Sequence, residues 1–160
     1  DQVWEFVRDA SEILIAITDS GIKWNHPDLK ENIWLNPDEL AGTNINWEAG
    51  TFTGNGSDDD SNGYLDDLMG WDFYNNDNNP LQSWENNNHG THVAGCASAE
   101  GDNGIGTVGP AFNAKLLNCK GASNTSDSEG ISYSYQQIVY AADMGADIAI
   151  GSSQRKAQTK

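Results

Sequence analysis

Glu12-Ile13-Leu14-Ile15-Ala16-Ile17-Thr18-Asp19, followed directly by Ser20-Gly21, decides the fold class. Ile13 to Ile17 are apolar without a break, so the segment has no polar face to turn to water. A half-exposed strand would alternate. An unbroken run that ends in a polar residue and a glycine reads as a central strand of a parallel sheet, covered on both faces. Working outward, Gly70-Trp71-Asp72-Phe73-Tyr74 reads as a short strand, Ala114 to Cys119 as a second long one, and Asp147 to Ile150 as the start of another. Between them, His89 to Ala99 carries small and apolar residues at helical spacing (Val93, Ala94, Ala97), with Gly90 and Gly95 permitting close approach to a sheet. Ile131 to Met144 is helical and stops at Gly145. Such alternation implies right-handed βαβ units and an α/β fold on a parallel sheet. Apart from residues 70–74, the stretch from Trp24 to Asn88 is rich in Asn, Asp and Gly and reads as loop, and no internal repeat is present.

The chain has 160 residues, which suits one domain. It carries 24 Asp and Glu against 8 Lys and Arg, for a net charge of −16. Three of the bases, Arg155, Lys156 and Lys160, sit in the last six residues, so the body of the chain is more acidic still. Such a surface repels nucleic acid and anionic membranes and favours cations, although scattered acids also serve simple solvation. No apolar run approaches the roughly 20 residues of a membrane-spanning helix. Asp1 begins without an initiator Met or signal peptide, as in a processed or trimmed chain. Cys96 and Cys119 are too few to define a disulfide scaffold, and their pairing stays open.

Two motifs carry chemistry. Asp19-Ser20-Gly21 closes the first strand, and open α/β sheets place functional groups where strands end. Seventy positions later, His89-Gly90-Thr91-His92-Val93-Ala94-Gly95 opens a helix. A carboxylate beside that imidazole would fix its tautomer and leave the other ring nitrogen to take a proton from a nucleophile. Alone, Asp-Ser-Gly is also an ordinary turn and a helix histidine is also a structural residue; the combination and its order give the reading. In that order the motifs resemble the catalytic aspartate and histidine of the subtilisin-like serine proteases, the subtilases. Supporting matches are Ile22 with His26-Pro27-Asp28-Leu29, Asn103-Gly104-Ile105-Gly106 and Gly145-Ala146-Asp147-Ile148, so that the resemblance runs from about Val3 to Gly151.

The resemblance implies a three-layer subtilisin-like α/β fold of which the chain holds the first half: residues 1–151 as the N-terminal part of a catalytic domain, and 152–160 as an atypical basic tail. It makes Asp19 the orienting acid and His89 the general base of an Asp-His-Ser triad acting on a polypeptide substrate. His92 becomes a packing residue and His26 a turn residue. The family's substrate-binding strand continues into Ser-hydrophobic-Gly; here only Ser152 of that pattern remains, taken as a substrate contact. No Gly-Thr-Ser-Met-Ala-like motif and no oxyanion asparagine occur in these residues, and the serines from Ser123 to Ser134 sit in loop or helix-start contexts. Losing the nucleophile of such a triad costs on the order of 10⁶ in rate. The expectation is therefore an inactive chain that needs a C-terminal half. A chain ending beside a strand without its neighbour is also expected to fold poorly or to self-associate. The alternative is a non-catalytic calcium- or peptide-binding module, or a truncated remnant.

Asp58-Asp59-Asp60-Ser61-Asn62-Gly63-Tyr64-Leu65-Asp66-Asp67 packs five carboxylates into ten residues, which calls for solvation or a hard cation. Asp58, Asp60, Asn62 and Gly63 fit the start of an EF-hand loop, but the twelfth position is Met69 and no amphipathic helices flank the segment. Residues 55–70 instead resemble the acidic calcium loop inserted between Asp and His in many secreted subtilases. The expected ligands are Asp58, Asp60, Asn62 and Asp67, with the Tyr64 carbonyl; a flexible solvated loop is the alternative. By the same resemblance a second calcium would sit on Asp28 and Asn103 with carbonyls near Gly101, Ile105 and Thr107, a stretch that otherwise reads as a turn. Trp24, Trp34, Trp47, Trp71 and Trp84 read as packing for long loops, with a carbohydrate or peptide platform as the alternative. Asn55-Gly56-Ser57 and Asn124-Thr125-Ser126 are formal glycosylation sequons.

Overall fold

The computed structural model describes residues 9–82, 88–125 and 130–151. The predicted central strand forms as β1 (Leu14–Asp19), followed by a single 3₁₀ turn at Lys30–Asn32, β2 (Asn44–Asn46), β3 (Thr51–Thr53), β4 (Gly70–Asp72), α1 (His89–Ser98), β5 (Lys115–Lys120), α2 (Ser134–Asp143) and β6 (Ile148–Gly151). The main sheet has the order β4-β5-β1-β6 and every pairing in it is parallel.

β1 is buried at all six positions because both of its faces are covered. Ile15 and Ile17 point into a core shared with Trp24, Leu29, Leu116 and the α1 residues Ala94 and Ala97. Leu14 and Ala16 point the other way, onto Trp71, Phe73, Leu117, Cys119 and the α2 residues Tyr140 and Ala141. Successive strand residues face opposite sides, so the continuous apolar run is what a sheet sandwiched between helices requires. The result is the three-layer α/β arrangement, here as a partial domain. β6 lies at one edge of the sheet, with Ile148 48% exposed.

Two parts of the expected layout differ. The stretch read as loop contains an antiparallel hairpin, β2 with β3, in which Ile45 pairs with Phe52. Both rings of the neighbouring Trp47 and Phe52 meet the buried Trp24 edge-on, at 5.5 and 6.5 Å between centroids. Strands of three residues offer no periodicity to detect; that tertiary packing holds them. The second helix starts at Ser134 rather than Ile131, because Tyr133 takes a left-handed conformation (φ 60°) that a helix cannot include. Both cysteines are free, Cys96 exposed and Cys119 buried. Trp84, Ser152 and the 152–160 tail lie outside the described residues.

Candidate active site

Asp19 ends β1, and its main chain is fixed from the β5 side: it is the register partner of Lys120, and its carbonyl accepts the Gly121 N–H at 2.8 Å. Its side chain is 1% exposed. The chain then turns sharply at Gly21, where φ is +98° and a Cβ would stand 2.7 Å from the Pro80 carbonyl oxygen and 2.8 Å from the Lys120 side chain. Only glycine fits there.

The start of α1 is docked onto this turn. The Gly90 N–H donates to Ser20 Oγ at 3.0 Å, and Thr91 Oγ1 accepts the Lys23 N–H at 2.8 Å while donating to Gln82. A Cβ on Gly90 would lie 2.5 Å from the Gly21 carbonyl oxygen, so helix and turn meet at backbone distance. This close approach brings His89 Nδ1 to 2.8 and 2.9 Å from the two oxygens of Asp19. The Ser20 N–H also donates to Asp19 Oδ1 at 2.7 Å and holds the carboxylate in place.

The chemistry follows from the contrast in exposure. The carboxylate is buried, but the histidine side chain is 57% exposed. With Nδ1 donating to the carboxylate, the imidazole is held in the tautomer whose Nε2 lone pair is free for another partner, and the carboxylate stabilises the ring when it gains a proton. A cavity of about 450 Å³ lies along the exposed side of α1, lined in part by His26, Asp28, His92, Cys96 and Thr107, and neither dyad residue lines it. His92 is exposed on the outer face of α1 rather than packed, with Nε2 3.9 Å from Cys96 Sγ. His26 is a turn residue: its Nδ1 accepts the Asp28 N–H at 3.2 Å, and its carbonyl accepts from Leu29 and Lys30.

The acidic loop separates its members. Asp58 turns back on its own loop, accepting the Asn62 and Gly63 N–H groups at 3.0 and 2.9 Å. Asp60 and Asp67 instead converge, bridged by the NH₂ of Asn36 (3.0 and 2.9 Å) and by that of Asn62 (2.9 and 3.0 Å). The Tyr64 N–H takes the remaining oxygen of Asn62 at 2.7 Å, while the Tyr64 ring packs against Trp71 and Tyr140. Tyr140 reaches across from α2 and donates its hydroxyl to Asp67 at 2.7 Å. The third carboxylate of the group, Glu39, comes from outside the loop: one ligand oxygen each from Glu39, Asp60 and Asp67 lie within 4.8 Å of one another. Burial pushes the Asp67 carboxyl above its usual range against the hydrogen bonds that oppose it, and burial does the same to Glu39. No local spacing marks Glu39, Asn36 or Tyr140, and sequence reading did not find them.

At the other candidate position the loop after α1 folds onto Asp28. Asn103 donates its NH₂ to Asp28 Oδ1 at 2.8 Å, the Thr107 N–H donates to Oδ2 at 3.0 Å, and the Ile105 N–H donates to Asn103 Oδ1 at 3.1 Å. These four residues are together, with the carboxylate satisfied by protein donors.

Comparison with known proteins agrees with the motifs. The sequence model of the subtilase family matches residues 10–158. Subtilisin-like protease 1 of Plasmodium falciparum (isolate 3D7) is 49% identical over 106 residues, which is 66% of this chain and 13% of that protein. The thermophilic serine proteinase of Bacillus sp. (strain AK1) is 30% identical over 148 residues, 92% of this chain and 27% of that protein. Thermitase of Thermoactinomyces vulgaris is 31% identical over 147 residues, 92% of this chain and 39% of that protein. The chain thus spans well under half of each relative's length.

Proposed function

This chain belongs to the subtilase family, as the N-terminal part of a subtilisin-like serine protease domain, and on that premise we propose that it supplies the acid and base of a secreted, calcium-stabilised endopeptidase. The observation that carries the reading is the buried Asp19 carboxylate held on Nδ1 of an exposed His89. His89 Nε2 takes the proton of a serine hydroxyl as that oxygen attacks a peptide carbonyl. Asp19 stabilises the imidazolium, which returns the proton to the leaving amine, and water then releases the acyl group by the same route. The serine and the oxyanion donors come from sequence outside these 160 residues, and Ser152, outside the described residues, is the proposed contact to substrate backbone. Among the described residues no strand pairs with the outer edge of β6, and a further parallel strand there would cover Ile148, which supports the addition of that remaining half.

Calcium is assigned to the acidic loop. The residues present fit a hard cation because the donor set is all oxygen and its carboxylates, Asp67 buried and Asp60 half-buried, lie close enough to repel one another. Asp60 and Asp67 would hold the ion, with Asn62 contributing Oδ1 on turning its amide over; the ion would fix the loop between the dyad's two elements. A second calcium at Asp28 would ask the same reversal of Asn103.

The test uses two proteins: this chain alone, and the longer product that carries the serine. The longer product should cleave a peptide and be blocked by a serine-directed fluorophosphonate, and His89→Ala should abolish both cleavage and labelling. The chain alone should do neither. A longer product that binds peptides and cleaves none would make this a binding module instead.

A further inference from the structure

Asn118 is a polar residue inside an apolar strand. It is 0% exposed and is the register partner of Ile17, two positions on from Leu116 and so on the sheet face that packs against α1. Burying an amide there is costly unless its polar atoms are used. They are used on main chain that follows Asp19 or lies against it. Oδ1 accepts the Ile22 N–H at 3.2 Å, while Nδ2 donates to the Ile22 carbonyl at 3.4 Å and to the Pro80 carbonyl at 2.9 Å. The Pro80 oxygen is the one that a Cβ at Gly21 would meet at 2.7 Å. One side chain therefore fixes both the turn after Asp19 and the segment that closes on its glycine.

We infer that Asn118 is a positioning residue for the Asp19–His89 dyad, acting through the turn on which α1 docks. The inference rests on the dyad reading above and adds to it a residue from β5. The linkage runs bond by bond. The Ile22 carbonyl held by Asn118 also accepts the Gln82 N–H at 3.3 Å, and Ile22 is bridged to Leu81. Gln82 accepts from Thr91 Oγ1 at 2.5 Å, and Thr91 Oγ1 accepts the Lys23 N–H at 2.8 Å. Thr91 lies in the first turn of α1, beside His89 and Gly90. The amide on β5 thus sets the 21–23 turn and the 80–82 segment, and these two hold the start of the helix. The dyad contact depends on that docking: His89 Nδ1 reaches the Asp19 oxygens at 2.8 and 2.9 Å because Gly90 meets the Gly21 carbonyl at backbone distance. A displacement of about 1 Å at such a site costs up to about 10² in rate. An apolar residue at this position would suit the burial of the strand equally well, so packing does not call for an amide; the backbone groups of Ile22 and Pro80 do.

The test compares Asn118→Ala, Asn118→Asp and Asn32→Ala in the longer, serine-bearing product, below the melting range of all three. Asn118→Asp keeps the size and the acceptor for the Ile22 N–H but sets a carboxyl against two carbonyl oxygens. Asn32 is the control for lost burial and lost stability. Its NH₂ also bridges main-chain carbonyls, those of Ser98 and Phe112 at 2.9 and 2.7 Å, but at the opposite end of α1 from His89. Both Asn118 variants should lose about 10–100-fold in kcat with KM unchanged, together with the low-field Nδ1–H resonance of His89. Asn32→Ala should keep the kcat and the resonance of the wild type. Thr91→Val cuts the same linkage at its α1 end, so its effect on kcat combined with Asn118→Asp should be smaller than the product of the two alone. Asn118 variants with wild-type kcat, an Asn32→Ala that falls as far as they do, or effects that simply multiply with Thr91→Val would each overturn the assignment of Asn118 and leave the dyad reading standing. A wild-type product that neither cleaves a peptide nor takes up the fluorophosphonate overturns the dyad reading and this inference with it.

Discussion

Lys120 and Asp72 form a fully buried ion pair at 2.5 Å, both side chains at 0% exposure, and substituting either one tests how the strand end under Asp19 is supported. Breaking a buried pair by removing one partner typically costs about 3–5 kcal/mol, since the other charge is left uncompensated. The surroundings decide where in that range each substitution falls. In Lys120→Met, the Asp72 carboxylate keeps three N–H donors: the backbone of Tyr74 at 2.9 Å and of Asn75 at 3.0 Å, and the Asn75 NH₂ at 2.9 Å. Its cost should lie near 3 kcal/mol. In Asp72→Ala, the buried ammonium keeps, among the described residues, only the Asn124 side-chain oxygen, and the three donors lose their acceptor. Its cost should lie near 5 kcal/mol. For a domain of this size each kcal/mol moves the melting temperature by about 2–4 °C, so the two substitutions should lower it by about 6–12 and 10–20 °C. The double variant should cost less than the two summed, because no lone charge remains. Urea melts of the four proteins, read by tryptophan fluorescence, give the cycle. Lys120→Met costing as much as Asp72→Ala, or either costing under about 1 kcal/mol, would refute the reasoning.

Four further outcomes follow from single contacts. Native chain should react with a thiol reagent at Cys96 alone, and at both cysteines only in denaturant, because Cys119 is buried and its thiol is pushed far up by burial. Gly90→Ala forces a methyl to 2.5 Å from the Gly21 carbonyl oxygen and should destabilise by about 1–3 kcal/mol in a thermal melt, with loss of the low-field His89 Nδ1–H proton resonance. Tyr140→Phe removes a donor from buried Asp67 and should cost about 1–3 kcal/mol in urea. In the longer, serine-bearing product, Asp19→Asn should lower kcat by about 10⁴ with little change in KM, since the imidazole would be held in the wrong tautomer.

What the sequence revealed and what it hid divide along a physical line. β1, α1 and the dyad were legible because their requirements are local: a strand covered on both faces needs an unbroken apolar run, and a helix docked at backbone distance needs Gly90 beside its histidine. The hairpin was hidden because each of its strands places one apolar residue, Ile45 or Phe52, toward Trp24 and so carries no period. The acidic loop was half legible. Alternating oxygens marked Asp58, Asp60 and Asn62 as equivalents, but Asp58 accepts the Asn62 and Gly63 N–H groups while Asp60 is joined to Asp67 through the Asn62 amide. Glu39, next to Asp38 in Asn36-Pro37-Asp38-Glu39, has no pattern around it that ties it to Asp60 and Asp67.

The sheet shows how far register exceeds sequence as a source of function. β4, β5 and β1 end in Asp72, Lys120 and Asp19, but only Asp19 reads from the sequence as a polar residue closing an apolar strand; Asp72 falls inside the stretch 70–74, and Lys120 just beyond Cys119. Only the pairing aligns them: Asp72 is the partner of Lys120, and Lys120 of Asp19, in one row across the carboxyl end of three parallel strands. Carboxyl ends of parallel strands are where α/β sheets gather functional groups. Here the row is ordered by charge. The lysine's head is spent on Asp72, while its stem lies against Gly21. That leaves the Asp19 carboxylate with the Ser20 N–H and the imidazole of His89, so that its charge acts on the base. A lysine free to turn toward Asp19 would compete with His89 for it, and the buried pair with Asp72 is what prevents that competition.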